Sequence, residues 1–368
     1  MKPEFIKIPI VLLSFIGLLG GIISGLDRLG ISIPVIQSDY SIFHGPIMIC
    51  GFLGTLIGLE RAIALNHKIW YFAPILSGVG GFLLIFSVPQ KLIAKIVITA
   101  GSLLFSLVSF EIIRKQRSLA TTAMFLGALC WFGGNILWLT GVEISHLVGL
   151  WAGFLILTIA GERIELSRYL SLSEGSKKLF IAIIGVVLIG SMVWVIQMTP
   201  GQRISGIGLL LLAAWLLRKD IALHTIKKKG QTRFIALALI CGFFWLSISG
   251  VLNVIFAGKT SGPYYDAVLH TLFLGFVFSM IFGHAPLVFP SITGVKIPFY
   301  KIVYSHLILL HASLVIRIIA DIYTSALLRQ WSGLFNGLAI LLFFTNTAGS
   351  VGYYKMIQKY RYSDDEAG

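Results

Sequence analysis

The stretch His44-Gly45-Pro46-Ile47-Met48-Ile49-Cys50-Gly51-Phe52, running on to Gly58-Leu59-Glu60-Arg61, has a second copy in His146-Leu147-Val148-Gly149-Leu150-Trp151-Ala152-Gly153-Phe154, running on to Gly161-Glu162-Arg163. In both copies the Gly-Phe pair starts seven residues after the histidine and the Glu-Arg pair sixteen residues after it. A third, looser copy keeps Gly275-Phe276 and places His284 nine residues after that glycine, where the first two have glutamate; its own histidine, His270, stands five residues before the glycine. The pairs Arg114-Lys115 and Arg218-Lys219 repeat at a similar distance. Self-similarity at a fixed period is the mark of a repeat architecture, and the period here is about a hundred residues.

Each period holds four apolar runs. Of the 368 residues 57% are hydrophobic and 12% charged, and the mean hydropathy is +0.91, far from soluble domains with roughly 25% charge. Runs of about twenty apolar residues are long enough to cross a bilayer as helices, the form that pairs every backbone group internally. Candidate spans are Ile8–Ser24, Ser41–Leu59, Trp70–Phe86, Ile93–Ile113, Ala123–Thr140, Ser145–Ala160, Leu179–Ile196, Ile204–Leu217, Phe234–Phe256, Ala267–Phe282, Phe299–Ile319 and Leu334–Tyr354. The expectation is an all-α polytopic membrane protein of about twelve spans, one transmembrane domain over 1–368, made of three pseudo-symmetric four-helix units near 1–117, 118–230 and 231–368. Common transporters with two six-helix halves have a different period.

The net charge of +14 is carried mainly by loops. With the amino terminus in the cytoplasm, 22 Lys and Arg fall in inner segments and six in outer ones, with Arg317 inside a span. That bias predicts a cell-membrane protein with both termini cytoplasmic. Arg114-Lys115-Gln116-Arg117 and Lys227-Lys228-Lys229 are short loops that orient the chain and face anionic lipid, rather than a nucleic-acid surface. The first run lacks a small-residue cleavage site and reads as a retained helix. Cys50, Cys130 and Cys241 form no C-x-x-C pair. No phosphate-binding loop, nucleophile elbow or C-x-x-C-H haem attachment is present.

Six of the eight histidines lie in or at the ends of spans, where polar groups are costly and mark a site or a paired contact. His44, His146 and His270 come from the second, sixth and tenth runs at similar depth, so helices lining one interior would bring them toward a common metal. His311, near mid-membrane, is a further metal candidate, and His306 a helix contact. On a regular helix a seven-residue step returns to within about 20° of the same face. Gly51 then lies beneath His44, and two readings stand: room for a flat macrocycle, or close helix packing. Asp266, one turn before His270, is placed to hold its second ring nitrogen, or is an exposed loop acid. Arg317 pairs with an anionic group of a ligand, or with Asp321 one turn later. The Glu60-Arg61 and Glu162-Arg163 pairs read as interhelical salt bridges repeated by pseudo-symmetry, and Pro286, Pro290 and Pro298 as a stiff, irregular loop after the tenth run.

Three four-helix arcs about a pseudo-threefold axis resemble the haem-copper oxidase catalytic subunit. At the residue level, His44…Gly51-Phe52 and Leu269-His270-Thr271-Leu272-Phe273-Leu274-Gly275…Phe282-Gly283-His284 resemble the NnrS family, twelve-span haem- and copper-associated proteins linked to nitric oxide metabolism. The resemblance implies haem as cofactor, with His44 and His270 as axial ligands of one haem and Gly51 and Arg317 beside it. It also implies His146 and His311 around a second metal or a site for a small gas such as nitric oxide, and a redox partner. The chain departs from the oxidase pattern: His270 is followed by Thr271 and Leu272, the seventh run has no histidine, and four residues after His146 comes Leu150. These departures argue against copper and against an oxygen-reducing centre. A transporter or channel using intramembrane histidines, and a cofactor-free structural or assembly subunit, are the alternative classes.

Overall fold

The computed structural model describes residues 4–31, 38–86, 91–170 and 172–366. Twelve helices are long and apolar enough to cross a membrane: α1 (Ile6–Asp27), α2 (Ser41–Leu65), α3 (Lys68–Phe86), α4 (Lys91–Lys115), α5 (Leu119–Leu139), α6 (Ile144–Leu166), α7 (Glu174–Ile196), α8 (Met198–Lys219), α9 (Gly230–Ile255), α10 (Gly262–Pro290), α11 (Val303–Ile322) and α12 (Ala326–Tyr354). Among the described residues there is no strand. The expected helical membrane fold is therefore the fold of the chain. Lys2, which enters the charge bias, lies outside the described residues.

Several helices run beyond their expected ends, two of them through proline. Helix α8 starts six residues before the expected Ile204, because Pro200 sits in its first turn, where a missing N–H costs nothing. Helix α10 runs through Pro286 and Pro290, and its helical turn continues past the span to Thr293, where Gly294 caps it with φ +71°. Prolines inside a membrane helix are tolerated where neighbours satisfy the freed carbonyls, so the irregular segment is shorter than those prolines implied.

Neighbours in sequence pack as neighbours in space, and α12 closes the ring against α1. The three helices that carry the repeat form the centre: 67%, 83% and 61% of the apolar windows of α2, α6 and α10 are buried, against at most 56% for any other span. Contacts between units repeat as well. Arg61 of the first unit pairs with Glu162 of the second, and Arg163 of the second reaches Nε2 of His284 in the third, at 3.3 Å. In each case an arginine meets the next unit's residue at the equivalent glutamate position. Arg163, 2% exposed, is also held by a bidentate pair with Asp220 at 2.7 and 2.8 Å. The expected interhelical salt bridges exist, Arg61–Glu162 across two units and Arg163–Asp220 within the second, and Arg61 also lies 4.0 Å from Glu60.

Helices α2 and α10 share a feature absent from α6. Each contains a π-helical segment, Ile47–Leu53 and Thr271–Val277, starting four residues before the repeat glycine and ending two after it. Four residues beyond each glycine is a hydroxyl that takes the glycine carbonyl: Thr55 on Gly51 at 2.6 Å and Ser279 on Gly275 at 2.5 Å. Such back-bonding competes with the regular ladder. The equivalent residue in α6 is Leu157, and α6 is regular throughout.

Candidate functional site

His44 opens the first turn of α2, and His270 ends the regular part of α10 just before its π segment. Both face a cavity of about 340 Å³ lined by α1, α2, α6, α10, α11 and α12. Their ring centroids are 6.3 Å apart and their planes lie within 20° of parallel. The Nδ1 atom of His44 is 2.8 Å from the carbonyl of Gly21, and that of His270 is 2.9 Å from the carbonyl of Asp266. A carbonyl only accepts, so each Nδ1 carries a proton and, in the neutral ring, each Nε2 keeps its lone pair. Among the described residues no hydrogen bond reaches either Nε2. Helix α1 fixes the His44 ring through Gly25, where a β-carbon would lie 2.8 Å from Cε1.

The His270 side of the cavity is an ion-pair network. Asp266 stands 3.1 Å from Nδ1 of His270 through Oδ1 and takes Nε of Arg317 at 3.0 Å through Oδ2. Arg329 joins Asp266 at 3.4 Å and the fully buried Asp321 at 2.6 Å. Two arginines and two aspartates balance, which is the condition for keeping charges in a dry interior. A metal-ligating histidine held by a carboxylate through its second nitrogen is a recurrent arrangement. Arg28, at the end of α1, lines the same cavity outside this balanced set.

The other expected site residues are placed differently. Gly51 does not line the cavity: a β-carbon there would lie 3.0 Å from Cα of Gly81, so this glycine lets α2 and α3 touch backbone to backbone. The π segment, with an extra residue in its turn, breaks the seven-residue return to one face that would have set Gly51 beneath His44. His146 lies outside the cavity, its Nδ1 3.3 Å from the carbonyl of Val195. His311 takes a hydrogen bond from Nε1 of Trp245 at 2.9 Å. No hydrogen bond, ion pair or ring contact joins His146 to His311 among the described residues, and each is held by a partner of its own. Among the described residues no group of three or more His, Cys, Asp or Glu could hold a metal ion. Arg317 lines the cavity, but Asp266 and Asp321 already neutralise it; it positions the acid that holds His270. His306 is a helix contact, 3.2 Å from Nδ2 of Asn346 and edge-on to Phe282 and Phe343.

Sequence reading missed Gly25, Arg28 and Arg329. Gly25 lies nineteen residues before His44 on another helix, and Arg329 pairs across α10, α11 and α12, so no spacing rule connects them. The π segments did leave a signal, a hydroxyl four residues after the repeat glycine in two copies of three.

Fold and site together define a polytopic helical membrane protein with a pair of facing imidazoles in its interior. The chain belongs to the family described as Domain of unknown function (DUF8744), whose model matches residues 7–351. Comparison with curated proteins gives no match.

Proposed function

We propose that the chain is a haem-binding protein of the cell membrane, similar in kind to NnrS proteins, in which His44 and His270 ligate the two faces of one haem. One observation carries the reading: two near-parallel imidazoles 6.3 Å apart with both Nε2 atoms free. Metal–nitrogen bonds of about 2.0–2.1 Å, with about 1.1 Å from nitrogen to ring centre, set two trans imidazoles about 6 Å apart. A bare ion between them would have two protein ligands and no third among the described residues. A porphyrin supplies the remaining donors itself, and the apolar walls suit its faces.

When bound, the haem would supply one-electron chemistry and affinity for small gases. His44 and His270 would hold it from opposite sides, Asp266 would fix the tautomer of His270, and Arg28 would offer a cation to the propionates. His44 and His270 would both be committed to holding the haem, leaving neither imidazole to serve a gas such as nitric oxide. This favours electron transfer or gas sensing, in nitric oxide or respiratory redox metabolism, over rapid turnover. The reading includes no copper: Nδ1 of His146 faces the Val195 carbonyl and Nδ1 of His311 takes Trp245.

Expression under haem-replete conditions, followed by extraction and quantification of haem, tests the reading. It predicts one haem per chain and no copper by elemental analysis. A folded, colourless protein under conditions that load a control haem protein would overturn it and favour a transporter in which the facing histidines carry protons or substrate.

A further inference from the structure

A second cavity, of about 550 Å³, lies between α1, α2, α6, α10 and α12 toward the other end of the helices. Leu53 borders both cavities. At the division the rings of Phe52, on the second cavity, and Phe278, on the first, stack 6.2 Å apart. The wall includes Leu12, 56% exposed on the outer face of α1, so the cavity reaches the lipid side of the bundle.

Its walls are apolar apart from a few groups, most of them gathered where the units meet. The hydroxyls of Ser14 and Thr347 are spent on backbone carbonyls. His284 gives Nδ1–H to the carbonyl of Met280 at 2.8 Å and takes Arg163 on Nε2. What remains is Glu60, whose nearest cation is Arg61 at 4.0 Å, Glu162, which pairs with that same arginine, and Thr158. The Thr158 hydroxyl, on a residue 2% exposed, has no hydrogen-bond partner among the described residues. Among the described residues no lysine or arginine lines the cavity.

We propose that this cavity binds a lipid-soluble hydroquinone, an aromatic diol on a hydrocarbon tail; its redox sense rests on the haem reading of the first cavity. The polar end offers acceptors on two helices, which complement two O–H donors. A phosphate headgroup would face the Glu60 and Glu162 carboxylates, and a cationic amphiphile would compete with Arg61, which already pairs with both. The hydrocarbon walls, with the Phe15 and Phe289 rings among them, suit a ring and tail, and the volume falls within the roughly 300–1,000 Å³ of small-molecule sites. A hydroquinone differs from other neutral lipids in carrying electrons, and the cavity ends at Leu53, where the facing histidines' cavity begins.

The test is anaerobic titration of the full chain, in phosphatidylcholine nanodiscs, with decylhydroquinone, decylbenzene, dioleoylglycerol and dodecylammonium. Decylhydroquinone should bind saturably and at least about tenfold more tightly than the other three, a difference of about one hydrogen bond or more. Glu60→Leu and the cavity-filling Leu56→Trp should each weaken it at least about tenfold while haem content stays unchanged. Thr158→Val, which removes an unsatisfied hydroxyl, should weaken it without lowering the unfolding temperature, guarding against loss of fold as the cause. Equal binding of decylbenzene or dioleoylglycerol, tighter binding of dodecylammonium, or indifference to all three variants would overturn the proposal. His44→Ala and His270→Ala should leave decylhydroquinone binding intact, so loss of haem and loss of the hydroquinone site are separate results.

Discussion

Asp266 and His270 stand one turn apart on α10, and the acid holds the imidazole twice, by its carbonyl at 2.9 Å and by its carboxylate at 3.1 Å from the same nitrogen. The carboxylate also takes Arg317, so the orientation of a ligand candidate on α10 is tied to a buried charge on α11. Asp266→Asn should weaken haem affinity about 10–100-fold, the usual effect of removing such a partner. Asp321→Asn, which disturbs the same arginines but not the histidine, should lower the unfolding temperature and leave haem affinity near that of the parent. Haem titration and thermal unfolding of the two variants separate positioning of His270 from plain stability.

The pairing of Arg61 with Glu162 across the unit boundary predicts strong coupling. Both side chains are largely buried, at 15% and 21% exposure. Arg61→Met or Glu162→Leu alone leaves a charge without its partner and should cost about 3–5 kcal/mol. The double variant should recover most of that loss. Unfolding of the four proteins in one detergent measures the coupling, and additive losses would mean that the pair does not join the units.

Two glycines should respond differently. Gly51→Leu forces α2 from α3 at Gly81 and should lower yield and unfolding temperature. Gly25→Leu meets the His44 ring instead, and should lower haem content more than it lowers stability. Haem-to-protein ratio plotted against unfolding temperature for both variants is the check.

The repeat and the apolar runs made the twelve spans and the buried central helices legible in the sequence, because lipid imposes one simple rule on length and polarity. His44, His270 and the hold of Asp266 on His270 were legible for a related reason: few polar residues survive in such spans. Gly51 misled, since the helical wheel assumes a constant turn and Thr55 supports a π segment there. Its true partner, Gly81, lies on another helix. Arg317 was legible in part: it does pair with Asp321 on its own helix at 3.5 Å, but its shorter contact, 3.0 Å, is to Asp266, fifty-one residues away.

The charge asymmetry predicts sidedness that chemistry can read. In a variant without Cys50, Cys130 and Cys241, an impermeant thiol reagent applied to intact cells should label Lys259→Cys and spare Lys228→Cys. Labelling at 228 would reverse the orientation and put His44 and His270 on the cytoplasmic side.

The most direct measurement is the absorption spectrum of the haem-loaded protein beside three single variants. Two axial imidazoles predict a six-coordinate low-spin spectrum, converted toward five-coordinate high-spin by His44→Ala and by His270→Ala alike, and left as it is by His67→Ala on the exposed turn between α2 and α3. A low-spin spectrum that survives loss of either His44 or His270 would contradict the account, as would a parent protein that takes up no haem.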